Sequence, residues 1–390
     1  MQTLTLRTAL TTALLFTGLP LAGMAQTPAA PTPAATVPRV PAVPAYRSPE
    51  VHADGSVTLR LRAVHAQSVV AQVEGANLPM APDATDSTLW SVTTPPYAPE
   101  TYAYRFLVDG VPMLDPRDPG VRNNLITPTS TFLVPAATPM PWELQDIPHG
   151  NVIHSYYTSK VVLGLPANQD NYYVYTPPGY DPKGKPYPIL YLLHGFSDDS
   201  DGWLAAGSAN LIFDSLIDSG NAKPMIVVMT LGYGNMAVLT SGGTRGLGQQ
   251  SVDLYQKTLL TEVMPRVEAS YNVAKGRDNH AIAGLSMGGQ ESLLTGLNHT
   301  DLFAWIGTFS AGISAETLTQ LPHLTPEQAR LHLLWMACGV DDRLLKPNRE
   351  VIAGLEAEHL PVTAIETPGH HQWPVWRDNL VHFVPLLFQK

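Results

Sequence analysis

From Asn151 onward one pattern recurs: a short run apolar on both faces, then a longer helical stretch. The runs are "YYVYT", "ILYLLHG", "MIVVMT", "HAIAGLS", "WIGTFS", "LHLLWMACG" and "VTAIETPG". A strand with one face in water alternates apolar and polar residues. These runs do not alternate, so both their faces must be covered, as in a parallel sheet between helix layers. Helices are expected between them, over Ser251 to Ser270 and Lys346 to His359 among others. The span 151–390 is therefore read as an α/β domain with a mostly parallel sheet. No period of twenty to fifty residues recurs, which excludes a repeat architecture.

The preceding region follows a different rule. In "GSVTLRLRAV", Val57, Leu59, Leu61 and Ala63 alternate with Thr58, Arg60 and Arg62, the signature of a half-buried strand. "SVVAQVEG", "LWSVTT" and "TYAYRFLVDGVPM" continue the theme, with Asp109-Gly110 where a tight hairpin turn belongs. These strands predict a small all-β, immunoglobulin-like sandwich over 49–135, joined by a linker, 136–150, to the α/β domain. Trp90, Tyr102, Tyr104 and Phe106 fit its core, with stacking on sugars as the alternative.

Ahead of the sandwich, 26–48 alternates Pro and Ala, a tether that cannot bury a core. Residues 1–25 read as a secretory signal peptide: Arg7, an apolar run, then Gly23-Met24-Ala25 at the cleavage site. The expected location is secreted or periplasmic, with no stable membrane insertion after cleavage. The 33 acidic against 23 basic side chains leave a net charge of −10, which excludes a general nucleic-acid binder. The single cysteine, Cys338, lies in an apolar run and reads as a small buried hydrophobe.

The chemistry gathers around "AIAGLSMGGQESLL", where Gly284, Ser286 and Gly288 form G-x-S-x-G. By chance the pentapeptide appears in about one in ten chains of this length, so its context decides. A strand precedes Ser286 and a helix follows, the setting in which a nucleophilic serine sits on a tight turn. Such a serine needs a base and a carboxylate to orient that base, in the order Ser, Asp, His. Asp341 and Asp342 follow one strand; His370 and His371 follow the next. Spacing leaves both pairs open. The N–H of Phe196, after "LYLLHG", and that of Met287 are candidate oxyanion donors, with His194 shaping their loop. Asp199, Asp201 and Gly202 resemble part of a calcium loop but lack the other ligands, and are read as a solvated loop. "GGTRGLG" at Gly242 lacks the context of a phosphate-binding loop. No metal and no cofactor is expected.

Taken together, "VYTPPGYD", "YPILYLLHGFSDDSDGW", "KPMIVVMTLGYG", "AIAGLSMGGQESL", "LFAWIGTFSAG", "CGVDDRLL" and "PGHHQWPVWRDNL" resemble the esterase D-like α/β-hydrolases. The resemblance is to carbohydrate esterase family 1, the feruloyl and acetylxylan esterases, and covers nearly all of 151–390. The N-terminal strands resemble the early-set, glycan-binding-module-like domain found fused to such esterases. By resemblance the acid is Asp342, in G-x-x-D-x-L, and the base is His371, five residues before Trp376. His370 then stands where relatives commonly have glycine, and His280 where they often have arginine. The resemblance implies a secreted serine esterase acting on feruloyl or acetyl esters of plant cell-wall polysaccharide, or on a small phenolic ester. The alternatives are a siderophore-type trilactone esterase, an acyltransferase of the same superfamily, and an inert glycan-binding protein.

Overall fold

The seven apolar runs, with Asn151–Thr158 added at one edge, become one eight-stranded sheet. The last run, Val362–Thr367, forms the other edge and is mostly exposed, so the expectation that both its faces are covered does not hold there. The computed structural model describes residues 45–241 and 246–389; the expected signal peptide, nearly all of the Pro/Ala tether and residues 242–245 of the glycine-rich stretch lie outside them. The strands are β1 (Asn151–Thr158), β2 (Gln169–Thr176), β3 (Ile189–Leu193), β4 (Ile226–Thr230), β5 (His280–Leu285), β6 (Trp305–Phe309), β7 (Leu333–Gly339) and β8 (Val362–Thr367). Their spatial order is β1-β2-β4-β3-β5-β6-β7-β8. The two junctions made by β2 are antiparallel, and every later pair is parallel. With helices on both faces, this is an α/β-hydrolase fold.

Strand β3 explains why the runs lack alternation. Leu190 and Leu192 pack on one layer with Phe213, Trp376, Leu380 and Phe383. Ile189, Tyr191 and Leu193 pack on the opposite layer with Tyr255, Val267, Leu293 and Val351. All five strand residues are fully buried. Each such aliphatic side chain contributes about 1.5–3 kcal/mol by leaving water. The covering helices are α1 (Ala209–Asp218), α2 (Leu247–Thr258), α3 (Met287–Asn298), α4 (Leu345–Ala357) and α5 (Trp373–Phe383).

The helix expected over Ser251 to Ser270 starts earlier, at Leu247, and is interrupted. A π turn, Leu259–Val263, separates α2 from Met264–Ser270, and the Met264 N–H reaches back to Leu259 O. Pro265 is the physical reason: it has no N–H for the next helical bond, and its ring crowds the preceding turn.

Residues 50–134 form two antiparallel sheets packed as a sandwich. One holds Glu50–Val51, Val57–Arg62, Leu89–Thr93 and Ala81–Pro82. The other centres on Glu100–Val108, flanked by Val69–Val73 and Thr129–Val134. Val57, Leu59, Leu61, Tyr104 and Phe106 form its core, with Trp90 and Tyr102 half-buried against it. Those aromatics pack the sandwich core, and Tyr104 also borders a cavity at its edge.

Two expectations need correction. The span 136–150, read as a linker, is a packed strap. Trp142 joins the hydrolase core, and Gly150 N–H and His149 Nδ1 both bond the buried Asp214 carboxylate at 2.9 Å. The loop carrying Asp199 and Asp201, read as solvated, instead meets the sandwich. Asn123 donates to Asp201 at 2.6 Å, Asn124 to Asp198 at 3.0 Å, and Leu125 N–H to Ser197 O at 2.7 Å. The amides of the sandwich satisfy one oxygen each of Asp198 and Asp201, while the other Asp201 oxygen is buried without a partner among the described residues.

Candidate active site

The order of the sheet brings the site together. Because β3 lies between β4 and β5, the loop after β3 ends beside the turn after β5. Ligands in open α/β sheets gather at the carboxyl ends of such strands. Ser286 joins β5 to α3 with φ 51° and ψ −112°, a backbone conformation costing about 1–3 kcal/mol that persists only when its surroundings impose it. Those surroundings explain the glycines. A Cβ on Gly284 would lie 2.4 Å from Gly288 O, and one on Gly288 would lie 2.4 Å from His194 O. The turn is then pinned by Ser286 N–H to Phe309 O (2.9 Å), Gly288 N–H to His194 O (3.1 Å) and Gly312 N–H to Ser286 O (2.7 Å).

His371 lies between Ser286 and Asp342. Its Nε2 is 3.0 Å from Ser286 Oγ, and its Nδ1 is 2.7 Å from Asp342 Oδ2. An ionised carboxylate only accepts, so Nδ1 carries the proton and Nε2 is left to accept from the serine hydroxyl. Trp376 and the His371 imidazole pack edge to face, with ring centroids 5.0 Å apart at 87°. Burial works against ionisation of Asp342, but the bonds from His371 and the Leu344 N–H outweigh it and hold the carboxyl below its usual range. An ionised, oriented carboxylate keeps the imidazole in the tautomer a base requires.

The adjacent candidates go elsewhere. Asp341 is exposed, and His370, also exposed, donates from Nδ1 to Asp341 O at 3.1 Å. The loops after β7 and β8 bind each other through Val340 N–H to Thr367 O and Asp341 N–H to Gly369 O. That register turns Asp342 and His371 inward together.

The Phe196 and Met287 N–H groups, the two expected oxyanion donors, have no hydrogen-bond partner among the described residues. His194 organises them. Its Nδ1–H donates to Gly195 O at 2.8 Å and its Nε2 accepts from Gly232 N–H at 2.9 Å. Full burial pushes its pKa down, which keeps it neutral and suited to that bridge.

Two cavities meet at this centre. The larger, about 960 Å³, is lined by Ser286, Phe196, Met287, Val238, Ile313 and Leu344. Glu291 also borders it: the side chain is 1% exposed, and one carboxyl oxygen has no partner. The smaller, about 510 Å³, runs between the sandwich and the hydrolase domain beside His371. Neither Glu291 nor the sandwich's share of the second cavity was visible in the sequence. A lone Glu in a helix and arginines on alternating strands carry no distinguishing pattern.

Comparison with known proteins follows the same lines. Residues 168–387 match the putative esterase family. The endo-1,4-beta-xylanase/feruloyl esterase of Xylanibacter ruminicola is 28% identical over 366 residues, 90% of this chain and 47% of that protein. The chain thus spans about half the length of that relative. A CE1 ferulic acid esterase from Anaeromyces mucronatus superposes with a TM-score of 0.55 at 24% identity, covering 63% of this chain and 93% of that one. The enterobactin esterase of Shigella flexneri superposes with a TM-score of 0.64 at 17% identity, covering 85% and 92%. A match of that extent reaches beyond 151–390 into the sandwich; at such identity it speaks to fold alone. Residues 168–387 are more than half of the chain, and the chain belongs to the putative esterase family.

Proposed function

We propose that the protein is an exported serine esterase that hydrolyses carboxylic esters of plant cell-wall polysaccharide, feruloyl or acetyl. The observation that carries the esterase reading is the Ser286–His371–Asp342 relay, with hydrogen bonds of 3.0 and 2.7 Å, beside two unpartnered N–H groups. In this reading His371 Nε2 takes the proton from Ser286 Oγ as the oxygen attacks the ester carbonyl. Asp342 stabilises the imidazolium. The N–H groups of Phe196 and Met287 receive the oxyanion, each donor worth about 3 kcal/mol in the transition state. His371 then gives its proton to the departing alcohol, and water repeats the sequence on the acyl-serine.

The xylanase/feruloyl esterase relative supports the polysaccharide substrate, and the leader-like composition of 1–25 supports export. A second reading, hydrolysis of a siderophore-type trilactone, draws on the likeness to the enterobactin esterase, which extends over the sandwich.

The test is hydrolysis of methyl ferulate and p-nitrophenyl acetate by the protein and by Ser286→Ala. The substitution is expected to lower kcat by about 10⁴-fold or more. Turnover that survives it would overturn the serine mechanism. No turnover of either ester would move the reading to the lactone.

A further inference from the structure

The cavity of about 510 Å³ has two walls from different domains. The sandwich supplies Gln72, Glu74, Arg105 and Arg122, and the hydrolase domain supplies Arg343 and His371. Its position follows from proton chemistry. When the tetrahedral intermediate breaks, the bond from carbonyl carbon to alcohol oxygen cleaves. That oxygen takes the proton from His371 Nε2 while the acyl group stays on Ser286. The alcohol therefore leaves on the imidazole side. His371 borders this cavity, whereas Ser286, Phe196 and Met287 border the larger one. The acyl group and the alcohol are thereby assigned to different cavities.

The charges on the walls are uneven. Arg122 is committed to Asp198 at 3.3 Å and lies over Trp373. Arg105 spends only its Nε, on Gln72 Oε1 at 2.8 Å; Arg343, which borders both cavities where they meet, makes no hydrogen bond among the described residues, and neither has a carboxylate partner among them. The cavity also holds Asp341 and Glu74, the latter accepting from Ala103 N–H at 2.7 Å. In a chain with ten more carboxylates than cations, two uncommitted guanidinium groups on one cavity, one from each domain, are not a by-product of excess basic charge. A guanidinium fork matches a carboxylate at two points, and more weakly a hydroxyl. The remaining polar lining, with Thr127, Thr129 and Gln372, suits a ligand rich in hydroxyls.

We propose that this interdomain cavity is the alcohol subsite, and that Arg105 and Arg343 select an alcohol of the uronic-acid class over a neutral sugar. The proposal rests on the serine-esterase reading above. It gives the sandwich a role in substrate choice through its own side chains.

The experiment compares two esters with the same acyl group, the one accepted in the Ser286 assay. The alcohols are methyl glucoside and methyl glucuronide, esterified at the same hydroxyl, so only the C6 carboxylate differs. The kcat/KM ratio, glucuronide over glucoside, is expected to exceed ten for the wild-type chain at low ionic strength. It should shrink in 0.5 M salt, where screening is within about 5 Å, and fall at least threefold in both Arg105→Gln and Arg343→Gln. A wild-type ratio of one or less, or a preference that neither substitution alters, would overturn the proposal. Methyl ferulate and p-nitrophenyl acetate, whose alcohols do not span the cavity, test the chemistry separately: failure there sinks the esterase reading instead.

Discussion

Arg377 on α5 fastens the sandwich to the hydrolase domain, and replacing it with methionine should cost more than any surface ion pair. The guanidinium is 1% exposed and its partner Glu100 is 10% exposed, at 2.8 Å. Its remaining donors bond Ala206 O, and Thr101 O at 2.7 Å. Burial pushes the pKa of Arg377 down and that of Glu100 up, so desolvation opposes both charges and each is held by the other. The pair is therefore a modest stabiliser as a unit, yet severe to break. Arg377→Met strands a buried carboxylate and two carbonyls, for an expected loss of about 3–5 kcal/mol in urea unfolding. Glu100, its folded pKa raised further without the cation, is stabilised only while protonated. The penalty should thus grow as pH rises above the ordinary Glu range, and be larger at pH 8 than at pH 5. Arg377→Met/Glu100→Leu removes both charges and should recover part of the loss, leaving about 1–3 kcal/mol for the carbonyls. A single-variant cost under 1 kcal/mol at pH 8, or a double variant less stable than the single, would refute this account.

Two further outcomes follow from buried groups near the centre. Burial raises the pKa of Glu291 well above its usual range; a raised folded pKa means that its contribution to stability is lost as pH climbs above the unfolded value. Glu291→Gln carries no such proton, so its gain in Tm over wild type should increase from pH 5 to pH 9, and a constant difference would contradict the neutral-acid reading. Burial pushes the Cys338 thiol up to about 12. At pH 8 its reaction with a thiol reagent should be about a hundredfold slower in the folded protein than in urea, and equal rates would show an accessible thiolate.

The parts of this protein that were legible in its sequence are those governed by neighbours along the chain. A run apolar on both faces implies a strand covered twice, which β3 bears out residue by residue. Gly284 announces the turn at Ser286 because its tightest crowding comes from Gly288, four residues on; the crowding at Gly288 comes from His194 and Leu193 at the end of another strand. Local chemistry also made Asp341, Asp342, His370 and His371 candidates. It could not choose between adjacent residues: one step along a loop reverses which side chain faces inward, and bonds such as Asp341 N–H to Gly369 O decide it. Family resemblance pointed to Asp342 and His371, the pair that the fold places in line with Ser286. The strap at 136–150 reads as a linker because it lies between two patterned regions, and nothing along the chain says that Trp142 is buried in the hydrolase core. The docking of the sandwich was wholly hidden. Arg377 and Glu100 lie 277 positions apart, and each alone resembles an ordinary surface charge. Periodicity records whether a residue must be buried by its own element; only the tertiary structure determines which distant partner makes burying a charge tolerable.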